Sequence, residues 1–90
     1  MHQVYIGHIE ISPKMAGKLA EKHRLTPDDV RDACQAPARY RSAVWHTHEE
    51  YGRRLIVTGF TRDGRCVKVI LQAVDPLDGT WRIRTAVVAG

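Results

Sequence analysis

The ten residues WHTHEEYGRR, Trp45–Arg54, bring together side chains that can bind a metal, transfer protons or hold a phosphate. His46 and His48 stand two positions apart, so on a strand both imidazoles project from the same face. With Glu50 in the same phase, the segment has the donor types of a zinc site. It also has those of an acid–base pair whose carboxylate fixes one histidine tautomer. A solvated hairpin end is the plainest alternative.

A zinc site requires more ligands than this segment offers. A structural site has four ligands, and a catalytic site has three and a water. Cys34 and Cys66 are the only cysteines, and neither stands at metal-ligand spacing from a second cysteine or histidine. We therefore expect no metal and no other cofactor, and we expect both thiols to be buried and reduced.

The elements that must position these residues begin with a strand and two short helices. The alternating segment QVYIGHIEI predicts the strand. Ser12 before Pro13 predicts the start of one helix, and Thr26 before Pro27 predicts the start of the next, because each pair supplies an N-cap and a proline at the first helical position. Asp28 and Asp29 suit the positive end of the second helix dipole.

After the second helix the hydrophobic period changes to two. The segments YRSAVWHTH, RRLIVTGFT, RCVKVILQAV and TWRIRTAVVA read as strands, joined by the turns EEYG, RDG and DPLDG. Such short connections predict an antiparallel meander. Residues 1–90 are therefore predicted to form a single α+β domain, in which an N-terminal strand and two short helices precede a four-stranded antiparallel meander with the helices packed on one face.

Strand alternation also predicts a basic face opposite the apolar one. That face carries Arg54, Lys68, Arg82 and Arg84, with His46 and His48 beside them. Neighbouring strands lie about 5 Å apart, so these side chains can converge on one ligand. Metal-free cleavage of RNA requires a base for the 2′-hydroxyl, an acid for the leaving oxygen and cations over the phosphate, and this face contains those groups. An ordinary solvated sheet face is the alternative.

His23 ends the first predicted helix, in the segment AEKHR. Lys22, His23 and Arg24 suit the negative end of the helix dipole, which is the simplest role for all of them. A phosphate contact is the sharper alternative if the helix end borders the sheet.

Charge and hydropathy restrict the partners. Fourteen Lys and Arg against ten Asp and Glu give a net charge of +4 and a pI near 9.4, which suits nucleic acid or an acidic protein segment. No apolar run approaches the roughly 20 residues that span a bilayer. The first ten residues, MHQVYIGHIE, lack the pattern of a secretory signal. We expect a cytoplasmic protein that does not enter a membrane.

The order of these motifs resembles that of the BrnT-like ribonuclease toxins of bacterial type II toxin–antitoxin systems, which have a RelE-like architecture. The similar segments are IEISPKMAGKLAEKH, LTPDDVRDAC, EEYGRRLIVTGFT, CVKVILQAV and RIRTA, and they span about Ile9 to Ala86. His23, Arg54 and Arg82 match the polar site residues of that family best. Val87 stands where the family usually has an arginine.

This resemblance implies a small metal-independent endoribonuclease with RNA as substrate and a cognate antitoxin protein as partner. Together with the residue patterns it gives a predicted catalytic set of His23, His46, His48, Arg54 and Arg82. The predicted RNA-binding set is Lys22, Lys68 and Arg84. The alternative from the residues alone is a non-catalytic basic module that binds an acidic protein segment or nucleic acid.

Overall fold

The chain runs through one strand and two helices into four further strands. A computed structural model describes residues 4–35, 40–50, 52–75 and 77–89. The elements are β1 (His8–Glu10), α1 (Pro13–His23), α2 (Pro27–Gln35), β2 (Tyr40–His48), β3 (Gly52–Phe60), β4 (Cys66–Asp75) and β5 (Thr80–Val88). Tyr51 and Pro76, which belong to two of the predicted turns, lie outside the described residues.

The strands form one five-stranded mixed sheet in the order β1-β5-β4-β3-β2. The successive pairs from β2 to β5 are antiparallel, whereas β1 pairs in parallel with β5. The α+β class is therefore confirmed. The predicted four-stranded meander forms part of a larger sheet, because the first strand joins its far side next to β5.

The helix starts follow from their capping residues, as predicted. The Ser12 hydroxyl accepts a hydrogen bond from the Met15 amide at 3.1 Å and caps α1. At α2, the Thr26 hydroxyl accepts from the Asp29 amide at 3.1 Å, and the Asp29 carboxylate accepts from the Thr26 amide at 2.9 Å. This reciprocal pair is a capping box. The chain leaves α1 through Arg24, which adopts a left-handed conformation with φ of 53°.

The core lies between the helices and the inner sheet face. Helix α2 packs against β2, β3 and β4, while α1 runs beside β5. The fully buried larger side chains are Ile9, Leu19, Leu25, Val30, Cys34, Leu55, Val57, Val67, Val69, Leu71 and Trp81. The contacts of α1 with β5 set the basic end of that helix beside the strand that carries Arg82 and Arg84.

A β-bulge in β5 changes which residues share a face. Ile70 pairs with Thr85, but the next residue, Leu71, pairs with Ile83, so Arg84 is an extra residue with no counterpart on β4. The bulge interrupts the alternation along β5, so Thr85 pairs with Ile70 and does not continue the phase of Trp81 and Ile83.

The connection between β3 and β4 is held by a polar network around Thr61, whose side chain is 2% exposed. The Thr61 hydroxyl donates to the Asp63 carboxylate and accepts from the Arg65 amide at 3.0 Å. The Arg65 guanidinium donates to Asp29 at 3.1 Å and to the Arg24 carbonyl at 2.8 Å. The hairpin is thereby tied to the loop between the helices.

Replacing Thr61 with valine is expected to lower the free energy of unfolding by about 1–2 kcal/mol at neutral pH, since both hydroxyl hydrogen bonds are lost. The hydrogen bond from Thr61, followed by that from Arg65, lowers the pKa of Asp63 from its ordinary value of 3.8. The stabilisation that ionised Asp63 provides is present above pH 3.8, its ordinary pKa. It is lost as the pH falls through the lower pKa of Asp63 in the folded protein.

Urea unfolding of Thr61→Val and wild type across pH 7 to 2 measures this effect. The difference in the free energy of unfolding between wild type and variant should become smaller in acid, because protonation of Asp63 weakens the same network in the wild type. Thr47→Val, at an exposed position of β2, is the control and should unfold like the wild type. If Thr61→Val lowered the free energy of unfolding by the same amount at every pH, the Thr61 hydrogen bond would not be what lowers the pKa of Asp63.

Neither Cys34 nor Cys66 forms a disulfide, and the two thiols lie in different surroundings. Cys34 is buried as predicted, and burial raises its pKa to about 12. Cys66 is only half-buried, so the prediction of two buried thiols holds for Cys34 alone.

A short pulse of iodoacetamide at pH 8 is expected to alkylate Cys66 and to spare Cys34, because the thiolate is the reactive form and Cys34 is both inaccessible and protonated. Mass spectrometry of the peptides measures both sites. In denaturing urea the two thiols should react equally. Equal labelling in the native protein would mean that the α2 side of the core opens readily.

Candidate functional site

A small hollow of about 210 Å³ lies between α1 and β5, and we call it the α1–β5 hollow. Its lining residues are Met15, Lys18, Leu19, Lys22, His23, Arg84 and Thr85. The helical members stand at positions i, i+3, i+4, i+7 and i+8 from Met15, so one face of α1 presents them together. None of the lining residues is acidic.

The α1–β5 hollow combines an apolar floor with cationic walls. Leu19 is 1% exposed and closes the inner side. Lys18 and Lys22 come from one turn of α1 and the next, and Arg84 faces them from β5. The three permanent positive charges and the imidazole of His23 suit a phosphate group, which accepts hydrogen bonds on several oxygens.

A second hollow of about 530 Å³ lies where β1 ends, and we call it the β1 gap. The pairing of β1 with β5 stops at Glu10 and Arg82, after which the chain leaves the sheet and enters α1. The gap is lined by His8, Ile9, Glu10, Ile11, Ser12, Met15, Arg31, Arg82, Ile83 and Arg84. Because Met15 and Arg84 also line the α1–β5 hollow, the two hollows adjoin.

The Glu10 carboxylate is fixed inside the β1 gap by an arginine of the neighbouring strand. Its Oε1 accepts from Nε of Arg82 at 3.3 Å and from Nη2 of Arg82 at 3.1 Å. The two side chains are 41% and 57% exposed, so this ion pair contributes little to stability.

The outer sheet face carries a row of polar residues, which we call the open-face row: His46, Arg54, Gln72 and Arg82. His46 pairs with Arg54 across β2 and β3, and Gln72 pairs with Arg82 across β4 and β5. Arg54 and Gln72 are neighbours because the adjoining residues Leu55 and Leu71 pair. Strands are spaced about 4.8 Å apart, so about 14 Å separates the backbones of His46 and Arg82.

The eight predicted site residues therefore occupy several places. Lys22, His23 and Arg84 meet at the α1–β5 hollow, while His46 and Arg54 meet on the outer face. Arg82 ends the open-face row and lines the β1 gap. Lys68 pairs with Val87, several residues along the sheet from the open-face row. The convergence of both strand histidines with all four predicted cations is not found, because the bulge directs Arg84 towards α1.

His48 takes part in the turn after β2. Its Nδ1 accepts a hydrogen bond from the Glu50 amide at 3.1 Å. Neutral His48 therefore carries its proton on Nε2. This contact is with the backbone of Glu50, and the acid–base pair predicted for His48 and the Glu50 carboxylate stays a prediction.

Sequence reasoning missed two cationic lining residues, Lys18 and Arg31, and the carboxylate Glu10. Lys18 carries a signal in retrospect, since it stands four residues before Lys22 on the same helical face. Arg31 carries none, because its place in the β1 gap depends on how α2 lies beside the end of β1.

Two further observations concern ligands and membranes. Within the described ranges, no three His, Cys, Asp or Glu side chains come together as metal ligands. In the same part of the chain, neither helix has the length and apolar character to cross a bilayer.

Comparison of the chain with protein-family models, with curated proteins and with solved structures gave no match. The similarity to BrnT-like toxins therefore stays a resemblance of short motifs. The functional proposal rests on the side chains that line the two adjoining hollows.

Proposed function

We propose that this protein is a small endoribonuclease that holds the scissile phosphate of RNA in the α1–β5 hollow and needs no metal ion for cleavage. In this proposal it is the toxin of a bacterial toxin–antitoxin pair and acts in the cytoplasm. The observation that carries the proposal is the meeting of Lys18, Lys22, His23 and Arg84 around one hollow without an acidic neighbour in its lining.

The proposed roles follow from the chemistry of each side chain. Lys22 and Arg84 bind the non-bridging phosphate oxygens and stabilise the charge that develops there. His23 accepts the proton of the 2′-hydroxyl, whose oxygen then attacks phosphorus. The bond from phosphorus to the 5′-oxygen breaks, this oxygen takes a proton from water, and the hydroxide that remains takes the proton from His23. The products are a 2′,3′-cyclic phosphate and a 5′-hydroxyl end.

His46, His48 and Arg54 are not assigned to the reacting bond. They stand on β2 and β3, while the α1–β5 hollow borders β5, so two or three strand spacings of about 4.8 Å intervene. We assign His46 and Arg54 instead to contacts with an acidic segment of the antitoxin. The neighbouring side chains Val44, 57% exposed, and Ile56, half-buried, give that outer face an apolar patch beside the cations.

A non-catalytic RNA-binding module is the second candidate function. It is favoured by one observation: His23 is the only histidine among the residues that line the α1–β5 hollow, so the hollow supplies one imidazole where two would serve as base and acid. This candidate function predicts binding that weakens steeply with salt and leaves the RNA intact.

Incubating the purified protein with a mixed-sequence RNA in excess chelator tests the proposal. Fragments that end in 2′,3′-cyclic phosphates are expected. His23→Ala should lower the cleavage rate by about 100-fold or more, the usual contribution of a general base. RNA affinity should change little, because the cations remain. Intact RNA with retained affinity would favour the non-catalytic module.

His48→Ala is the matched control, because it removes an imidazole on the outer face and leaves the α1–β5 hollow unchanged. We expect wild-type cleavage from it. If His48→Ala abolished cleavage and His23→Ala did not, the site would lie on the outer sheet face and the assignment to the α1–β5 hollow would be wrong.

Expression in a bacterial host tests the toxin role separately. The wild-type protein should arrest growth, and His23→Ala should relieve the arrest at equal protein level. Growth arrest by a variant that no longer cleaves RNA would show that toxicity has another cause.

A further inference from the structure

The β1 gap has the composition of a nucleotide pocket. Its volume of about 530 Å³ lies in the range of small-molecule sites. Ile11, Met15 and Ile83 give it apolar walls, and Arg31 and Arg84 add cations. Such a combination suits a flat base against the apolar side chains and a phosphate against the guanidinium groups.

Glu10 is the one carboxylate among the lining residues, and Arg82 orients it. Both hydrogen bonds from Arg82 reach the same oxygen, Oε1. An ionised carboxylate only accepts hydrogen bonds and has about four acceptor positions, so beside the two that Arg82 uses, Glu10 can accept from a ligand that donates.

The charge of the gap still favours an anion. Arg31, Arg82 and Arg84 carry three positive charges against one negative charge on Glu10, which leaves +2. Asp28 is 3.6 Å from Arg31, but its side chain is 91% exposed and does not line the gap. A nucleotide can therefore place its phosphate among the arginines and its donor edge on the carboxylate.

We propose that the β1 gap binds a guanine nucleotide of the RNA, with the base edge on Glu10 and the phosphate on Arg31 and Arg84. Guanine presents N1–H and the N2 amino group side by side, whereas each other base presents one donor group on that edge. The inference rests on the proposed function, which it extends to cleavage next to guanine. The shared residues Met15 and Arg84 put the adjoining phosphate in the α1–β5 hollow.

Calorimetric titration of the intact protein with GMP, AMP, CMP, UMP and ribose 5-phosphate tests the pocket directly. GMP is expected to bind about tenfold or more tightly than the other mononucleotides, the discrimination typical of a paired base contact. Glu10→Gln should remove that preference without weakening ribose 5-phosphate, because the substitution removes the one negative charge among the residues that line the gap. Arg31→Gln should weaken all five ligands.

Arg62→Gln is the matched control for the loss of one arginine. Arg62 also lies near one carboxylate, that of Asp32 at 3.6 Å, and its side chain is 79% exposed outside both hollows. It should bind all five ligands like the wild type. Thermal unfolding of Glu10→Gln checks that the fold is intact, and Glu10→Asp, which keeps the charge but shortens the side chain, should also lose the preference.

The outcomes separate the pocket from the proposed function. Equal affinity for all mononucleotides, or a preference for CMP, would overturn the guanine pocket even if RNA is cleaved. A GMP preference that vanishes in Glu10→Gln would support the pocket even if RNA stays intact. In a cleaving protein, sequencing of the product ends should show enrichment of guanine at one position beside the cut in the wild type, and no enrichment in Glu10→Gln.

Discussion

Trp81→Ala is expected to lower the free energy of unfolding by about 3–5 kcal/mol, the range for removal of a buried tryptophan. The side chain is 1% exposed in the core above the sheet. Its Nε1 donates to the Tyr5 carbonyl at 2.9 Å and so ties the segment before β1 to β5. Its ring also contacts Trp45, with 5.6 Å between centroids. A domain of this size has a total stability of only about 5–15 kcal/mol, so the variant should be near unfolding at 37 °C.

Urea denaturation followed by circular dichroism measures this loss. Trp45→Ala is the control, since Trp45 is 38% exposed and stacks under Arg53 at 4.2 Å from its ring centroid. Trp45→Ala should lower the free energy of unfolding by less than half as much as Trp81→Ala. A loss below about 1 kcal/mol for Trp81→Ala would mean that the core and the N-terminal segment are not joined as described.

Reversing two charges of the α1–β5 hollow is expected to have the largest effect on RNA binding. Lys22→Glu with Arg84→Glu changes the net charge from +4 to 0, because each substitution removes two units. Affinity for a short single-stranded RNA should fall by about 100-fold or more at low salt. The slope of log affinity against log salt should also fall by about 1.4, since each phosphate contact on a single strand contributes about 0.7.

Lys14→Glu with Arg62→Glu is the matched control, because it gives the same net charge of 0. Both positions are exposed, and neither lines a hollow. Its affinity should fall by only a few-fold through the general field of the protein. Fluorescence anisotropy at several salt concentrations measures both double variants. Equal losses of RNA affinity in the two double variants would mean that affinity depends on the net charge of the protein and not on the α1–β5 hollow.

Much of the fold is predictable from local signals. Ser12 and Thr26 fix where the helices begin, because their hydroxyl oxygens satisfy amides that the first turn leaves unpaired. The period-two segments fix the strands of the meander, since each needs one apolar face. The parallel pairing of β1 with β5 has no such signal, because it joins residues about seventy positions apart through a crossover.

The candidate site is only partly predictable for a related reason. His23 and Lys22 could be placed at the end of α1 from the sequence, but their neighbour Arg84 depends on the bulge in β5. Alternation assigned Arg84 to the outer face with Arg82 and Lys68. One extra residue in the strand is enough to bring Arg84 to α1 instead. No residue type near Arg84 predicts the bulge.

The proposed phosphate site is tested most directly by two-dimensional amide NMR of the protein titrated with a short single-stranded RNA. We expect the largest shift changes at Lys18, Lys22, His23, Arg84 and Thr85, around the α1–β5 hollow. Shift changes confined to Val44, His46, Arg54 and Ile56 would place the RNA on the outer sheet face and contradict the proposed site.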